Sequence, residues 1–167
     1  MWYGRMEELR SLNTSDAEVA QLVRLKQAGA PDDLCVNLIS VSHQHRHPFM
    51  STDAVINLSR AGFTDQDILG IAQQDKLDTV SGDAVTLRLT GLSNSVVLAI
   101  LNRQQRGRRT MSGPQIAELM NTGLTENQIL ERINRGMTDA EADREIAARK
   151  RARNQTGFKR NYGRRRY

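Results

Sequence analysis

The sequence has little of what crosslinks or anchors a small fold. One cysteine, Cys35, excludes an internal disulfide framework and any metal site built on several cysteines. Aromatic residues make up 4% of the 167 positions, with three Phe, three Tyr and one Trp, so a large aromatic core is excluded. Leu, Ile, Val and Ala must fill the interior, which favours small helical units over a β-sandwich. No stretch approaches the ~20 apolar residues that a membrane-spanning helix needs. No charged-then-apolar leader is expected at the N-terminus, which leaves the cytoplasm, or export after removal of a signal, both open. There is no phosphate-binding glycine loop, GxSxG, HExxH or calcium-loop spacing. No cofactor is expected.

Charge is unevenly placed. Residues 1–145 hold 15 basic and 19 acidic side chains, whereas residues 146–167 hold nine basic side chains and no acid. The net charge of +5 is therefore a property of the C-terminus, and a basic tail on a mildly acidic body suggests a polyanionic partner.

What is present is a repeat. LVRLKQAGAPDDLCVNLI, VINLSRAGFTDQDILGIA, VTLRLTGLSNSVVLAIL and IAELMNTGLTENQILERI centre on Gly29, Gly62, Gly91 and Gly123. These glycines recur at a nearly constant interval, the sign of an internal repeat with its length variation in the connections. Four residues before each glycine stands a leucine (Leu25, Leu58, Leu87, Leu119), and one after it an apolar residue (Ala30, Phe63, Leu92, Leu124). A glycine just past a helix end takes the left-handed conformation and lets those two side chains meet. Thr64, Ser93 and Thr125 then cap a second helix, with Thr125–Gln128 as a capping box and Thr64–Asp67 as a weaker one. Phe63 with Ile68, Leu92 with Val97 and Leu124 with Ile129 are spaced as hydrophobic staples. In the first unit Pro31 replaces the hydroxyl cap. Gly136, Met137, Thr138 and Glu141 form a fifth joint.

The first helix of each unit is expected to open near Ser15, Ser51, Ser81 and Ser112, and Met6, Leu9 and Leu12 mark one short helix ahead of them. The sequence thus reads as all-α: an N-terminal segment 1–14, a helical repeat domain 15–148 with units at about 15–42, 51–74, 81–105 and 112–148, and a basic tail 149–167. The hairpins stack as a small solenoid or a bundle.

Three connections carry candidate chemistry. His43, His45 and His47 alternate in SHQHRHPFM and share a face if the segment is extended, a pattern open to a divalent metal or to a solvated loop. Arg103, Arg106, Arg108 and Arg109 surround Gly107 and offer guanidinium forks to phosphate. Cys35 falls on an apolar helix face and reads as a structural thiol. Asp32–Asp33 and Asp65–Asp67 sit in first turns, where the helix dipole favours acids.

The helix from Asp139 is expected to reach about Arg153 and to end over Asn154–Gly157. Arg149, Lys150, Arg151, Arg153, Lys159, Arg160, Arg164, Arg165 and Arg166 are the candidate polyanion contacts, with Phe158, Tyr162 and Tyr167 stacking on bases. Arg106, Arg108 and Arg109 are secondary. Interleaved arginine and aromatic residues suit RNA or single-stranded nucleic acid.

Leu58–Ile68 and Leu119–Ile129, most clearly AGFTDQDI and TGLTENQI, resemble a short glycine-centred helical motif of poorly characterised bacterial proteins, several of them envelope-associated. AGFTDQDIL is also similar to ubiquitin-associated domains, without their third helix. GLTENQILERI is similar to helix-turn-helix proteins, with Arg132, Asn134 and Arg135 as the only base-reading candidates. These resemblances imply no catalytic residue. The expectation is a non-enzymatic scaffold whose repeats bind protein partners or a second copy and whose tail docks on a polyanion. The alternative is a structural subunit of an envelope or extracellular assembly, with the tail on neighbouring subunits or glycan.

Overall fold

The computed structural model describes residues 5–108 and 110–162, with the backbone alone for Met6, Gln105 and residues 156–162. The described chain is all helical: α1 (Met6–Ser11), α2 (Asp16–Gln27), α3 (Asp32–Gln44), α4 (Thr52–Arg60), α5 (Asp65–Ala72), α6 (Leu77–Leu89), α7 (Asn94–Gln105), α8 (Gly113–Asn121), α9 (Glu126–Arg135) and α10 (Asp139–Tyr162).

The joints form from the residues that the spacing singled out. Gly29, Gly62, Gly91, Gly123 and Gly136 have φ between 81° and 97°. At three of these joints the N–H after the glycine closes back on the helix, from Ala30 to the Leu25 carbonyl (3.0 Å), Phe63 to Leu58 (3.1 Å) and Met137 to Arg132 (3.0 Å). Capping boxes are complete at Ser15–Glu18, Thr64–Asp67 and Thr125–Gln128. Pro31 caps α3 through its backbone carbonyl alone, which accepts the Cys35 N–H at 3.2 Å. Both members of each staple pair are buried, as are Leu25, Leu58 and Leu119, while Leu87 is half-buried.

A second series of left-handed residues ends the alternate helices: Asn13, Arg46, Asp75, Gly107 and Gly136. It keeps step with the joint glycines. The interval from Asn13 to Gly29 recurs without change from Arg46 to Gly62, from Asp75 to Gly91 and from Gly107 to Gly123. The varying distance therefore falls in the helix after the joint. Asn13, Arg46 and Asp75 carry side chains, so glycine counting alone does not find them.

Two helix limits differ from expectation. Ser81 lies inside α6, which starts at Leu77. Leu77, Val80 and Ala84 are buried at helical spacing, so the apolar stripe extends the helix a turn backwards. Likewise α10 runs through Asn154–Gly157 to Tyr162. A single glycine costs an established helix about 1 kcal/mol and does not have to end it.

The helices form two compact bodies that divide within α6, between Thr86 and Leu87. In the first, α2 pairs with α3 and α4 with α5, while α2 also packs on α4 and α3 on α5. In the second, α8 pairs with α9, α7 packs on α9 and α8 on α10. Each core is aliphatic. Leu22, Leu25, Leu38, Ile39, Leu58 and Ile68 are sealed in the first, and Val96, Ile100, Ile116, Leu119, Ile129 and Ile133 in the second.

Candidate functional site

The basic segment grows out of α10. Its first turns carry Asp139, Glu141 and Asp143, acids that complement the helix dipole, and they tie it to α8. The Ser112 N–H donates to Asp139 Oδ1 (2.6 Å) and the Gln115 amide to Asp143 Oδ1 (2.9 Å). Ala142 and Ile146 bury the contact face. One turn on, Glu145 takes two hydrogen bonds from the Arg132 guanidinium (Nε 2.8 Å, Nη2 2.7 Å) and one from Arg149 Nε (2.9 Å). Arg132, then Arg149, outweigh the cost of burial and hold the Glu145 carboxyl at about 2. Lys150 pairs with Glu118 of α8.

The structure therefore sorts the tail cations. Lys150 ties the helix to α8, while Arg149 pairs within α10 with Glu145, the carboxylate that Arg132 of α9 holds. Arg151 and Arg153 lie beyond that anchor and are exposed. Phe158, Lys159, Arg160 and Tyr162 fall on the continuing helical backbone with side chains outside the described set, and Arg164, Arg165, Arg166 and Tyr167 lie outside the described residues, as does Arg109. Arg106 and Arg108 are exposed at the α7 cap around Gly107. They belong to the α7–α9 pair and the tail to the α8–α10 pair, and Arg103 is turned to the Asn134 carbonyl of α9 (2.6 Å).

The histidines are not gathered. His43 lies within α3 and His45 caps it, so the segment is not the extended one that alternation requires. His43 Nε2 meets Glu18 Oε1 (2.7 Å), His45 Nε2 the Gln73 carbonyl (3.1 Å) and His47 Nε2 Asp75 Oδ1 (2.6 Å). Among the described residues no group of three or more His, Cys, Asp or Glu side chains is arranged to hold a metal ion. His45 and His47 stack beside a cleft of about 320 Å³ that Ser51, Asp75 and Asp78 also line. The Pro48 carbonyl, then Asp75, raise the His47 pKa. Cys35 is fully buried, and burial pushes its thiol up to about 11.

Sequence reading overlooked Glu18, which is 2% exposed. Its Oε2 accepts from the Ser15 N–H and hydroxyl (both 2.9 Å), and its Oε1 meets His43 and accepts the Phe49 N–H (2.9 Å). Burial pushes this carboxyl up, but the Ser15 and Phe49 N–H groups, the Ser15 hydroxyl and His43 together hold it at about 2. The signal was available, since Glu18 follows Ser15 at capping-box spacing.

No family model, curated protein or solved structure matches the chain.

Proposed function

We propose that the chain is a non-enzymatic binding scaffold: a four-unit array of glycine-jointed helical hairpins that presents its basic C-terminal helix to a polyanion, with RNA or single-stranded nucleic acid as the preferred partner. One observation carries the reading. Nine cations follow Glu145 without an acid; Arg149 is engaged by Glu145 and Lys150 by Glu118, and seven more follow them in the sequence. The two series of left-handed caps at matching spacings support the array. Arg106 and Arg108 are a secondary contact.

The test is binding of a labelled single-stranded RNA by the full chain and by a chain lacking residues 151–167. The deletion starts at Arg151 because removing Arg149 would also disturb Glu145. Binding that survives the deletion unchanged overturns the proposal.

A second reading, a subunit of a bacterial envelope or extracellular assembly, draws on the resemblance of the glycine joints and on one observation: the exposed Val19 and Val23 of α2.

A further inference from the structure

Helices of one class precede each joint glycine: α2, α4, α6 and α8. The interval that separates Gly107 from Gly123, carried forward from Gly136, places the next joint position at Ala152. Ala152 lies inside α10, so α10 belongs to the same class and runs through its joint.

Ten residues before the joint, α4 and α8 set a residue against the preceding helix of the class, with Gly113 close beside Leu87 of α6. Thr52 of α4 is fully buried, with its hydroxyl on the Gln21 carbonyl of α2 (3.4 Å). Gly113 and Ala142 at the same place in α8 and α10 are buried. In α2 this residue is Val19, 44% exposed, and Val23 one turn on is 46% exposed. The opposite face, toward the following helix, is set by the residues eight and five before the joint. Gln21 and Arg24 of α2 meet Thr52 and Asp53 of α4, and Gln115 and Glu118 of α8 meet Asp143 and Lys150 of α10. In α10 these places hold Arg144 and Ala147, both exposed.

The two open faces are matched. Nine before the joint, α4 and α10 carry the acid that meets the preceding helix (Asp53, Asp143), while α2 has Ala20. Five before it, α2 and α8 carry a charge (Arg24, Glu118), while α10 has Ala147. Ala147 and Ala20 thus stand where Arg24 and Asp53 pair between α2 and α4, α2 adds two valines beside Ala20, and Arg144 remains as the one charge among these places on the α10 face.

We infer that the Val19–Val23 face of α2 receives α10 of a second copy of this chain, head to tail, with Ala147 against Ala20 and the valines. The contact repeats the α2–α4 and α8–α10 pairings between molecules. It is heterologous: each copy offers one α2 face and one α10 face, so a pair still presents one of each to a further copy. It rests on the repeat reading above, but not on polyanion binding.

The experiment is light scattering of nuclease-treated full-length protein across a dilution series, with two variants: the double variant Val19→Glu/Val23→Glu, and Ala147→Glu. Wild-type protein is expected to grow in mass with concentration, and each variant to remain monomeric with unchanged helicity and melting temperature, since the altered positions are exposed. An equimolar mixture of the variants is expected to form a dimer and nothing larger, because it pairs the one intact α2 face with the one intact α10 face. Deleting residues 154–167 leaves assembly intact while removing most of the polyanion site, which separates the two proposals. A wild-type chain that stays monomeric, a mixture that fails to dimerise, or a Val19→Glu/Val23→Glu chain that melts earlier overturns the inference.

Discussion

Four donors from three elements converge on the Glu18 carboxylate: the Ser15 cap of α2, His43 of α3 and the Phe49 amide of the following connection. Glu18→Gln removes the charge that these donors face, and a loss of about 2 kcal/mol in urea unfolding of the first body is expected. The same group sets an acid limit. Its folded pKa, about 2, lies below its ordinary value of 4.5, so its contribution is complete above 4.5 and disappears as the pH falls through about 2. Glu145, also held at about 2, adds a parallel loss in the second body over the same range. Unfolding midpoints measured from pH 6 to pH 2 check this, and Glu18→Gln is expected to flatten the curve for the first body. At Gly123, φ is +97° and an added Cβ meets nothing within 4 Å. Gly123→Ala therefore costs backbone strain alone, about 1–2 kcal/mol. The joint glycines were legible because their conformation restricts the residue type. Arg46 and Asp75, both exposed, adopt the same conformation with ordinary side chains, so residue type does not mark them.

At the scale of the element, helix starts were more legible than helix ends. A cap is a local bond between residues three apart, and Thr64–Asp67 and Thr125–Gln128 close as their spacing requires. The end of α10 is set by propagation, so the breakers at Asn154–Gly157 did not decide it. The early start of α6 was hidden because Leu77 lies in a stretch that reads as a connection until its burial is known. The anchor of α10 leads to a further expectation. Glu145→Gln leaves the partly buried Arg132 guanidinium without its carboxylate, and the second body is expected to lose about 2 kcal/mol. Amide exchange along residues 146–153 should accelerate in that variant, whereas the first body should keep its exchange rates.

For the whole molecule, the all-helical class followed from the near-absence of aromatics and from glycine joints at a regular period. The division into two bodies had no sequence marker, because it falls inside one helix rather than in a linker. The basic segment was legible as composition, but its sorting was not: that Arg149 and Lys150 serve the fold depends on Glu145 and Glu118, and only the fold places Glu118 beside Lys150. Residues 151–167 hold seven cations. The most direct measurement is the salt dependence of single-stranded RNA binding by the full chain and by the chain ending at Lys150. If all seven cations neutralise phosphates, the slope of log affinity against log salt is about −5 for the full chain. In the shortened chain the slope should fall to the small remainder that Arg106 and Arg108 supply, with melting unchanged. An equal slope in both chains would contradict the assignment of the C-terminal helix as the docking element.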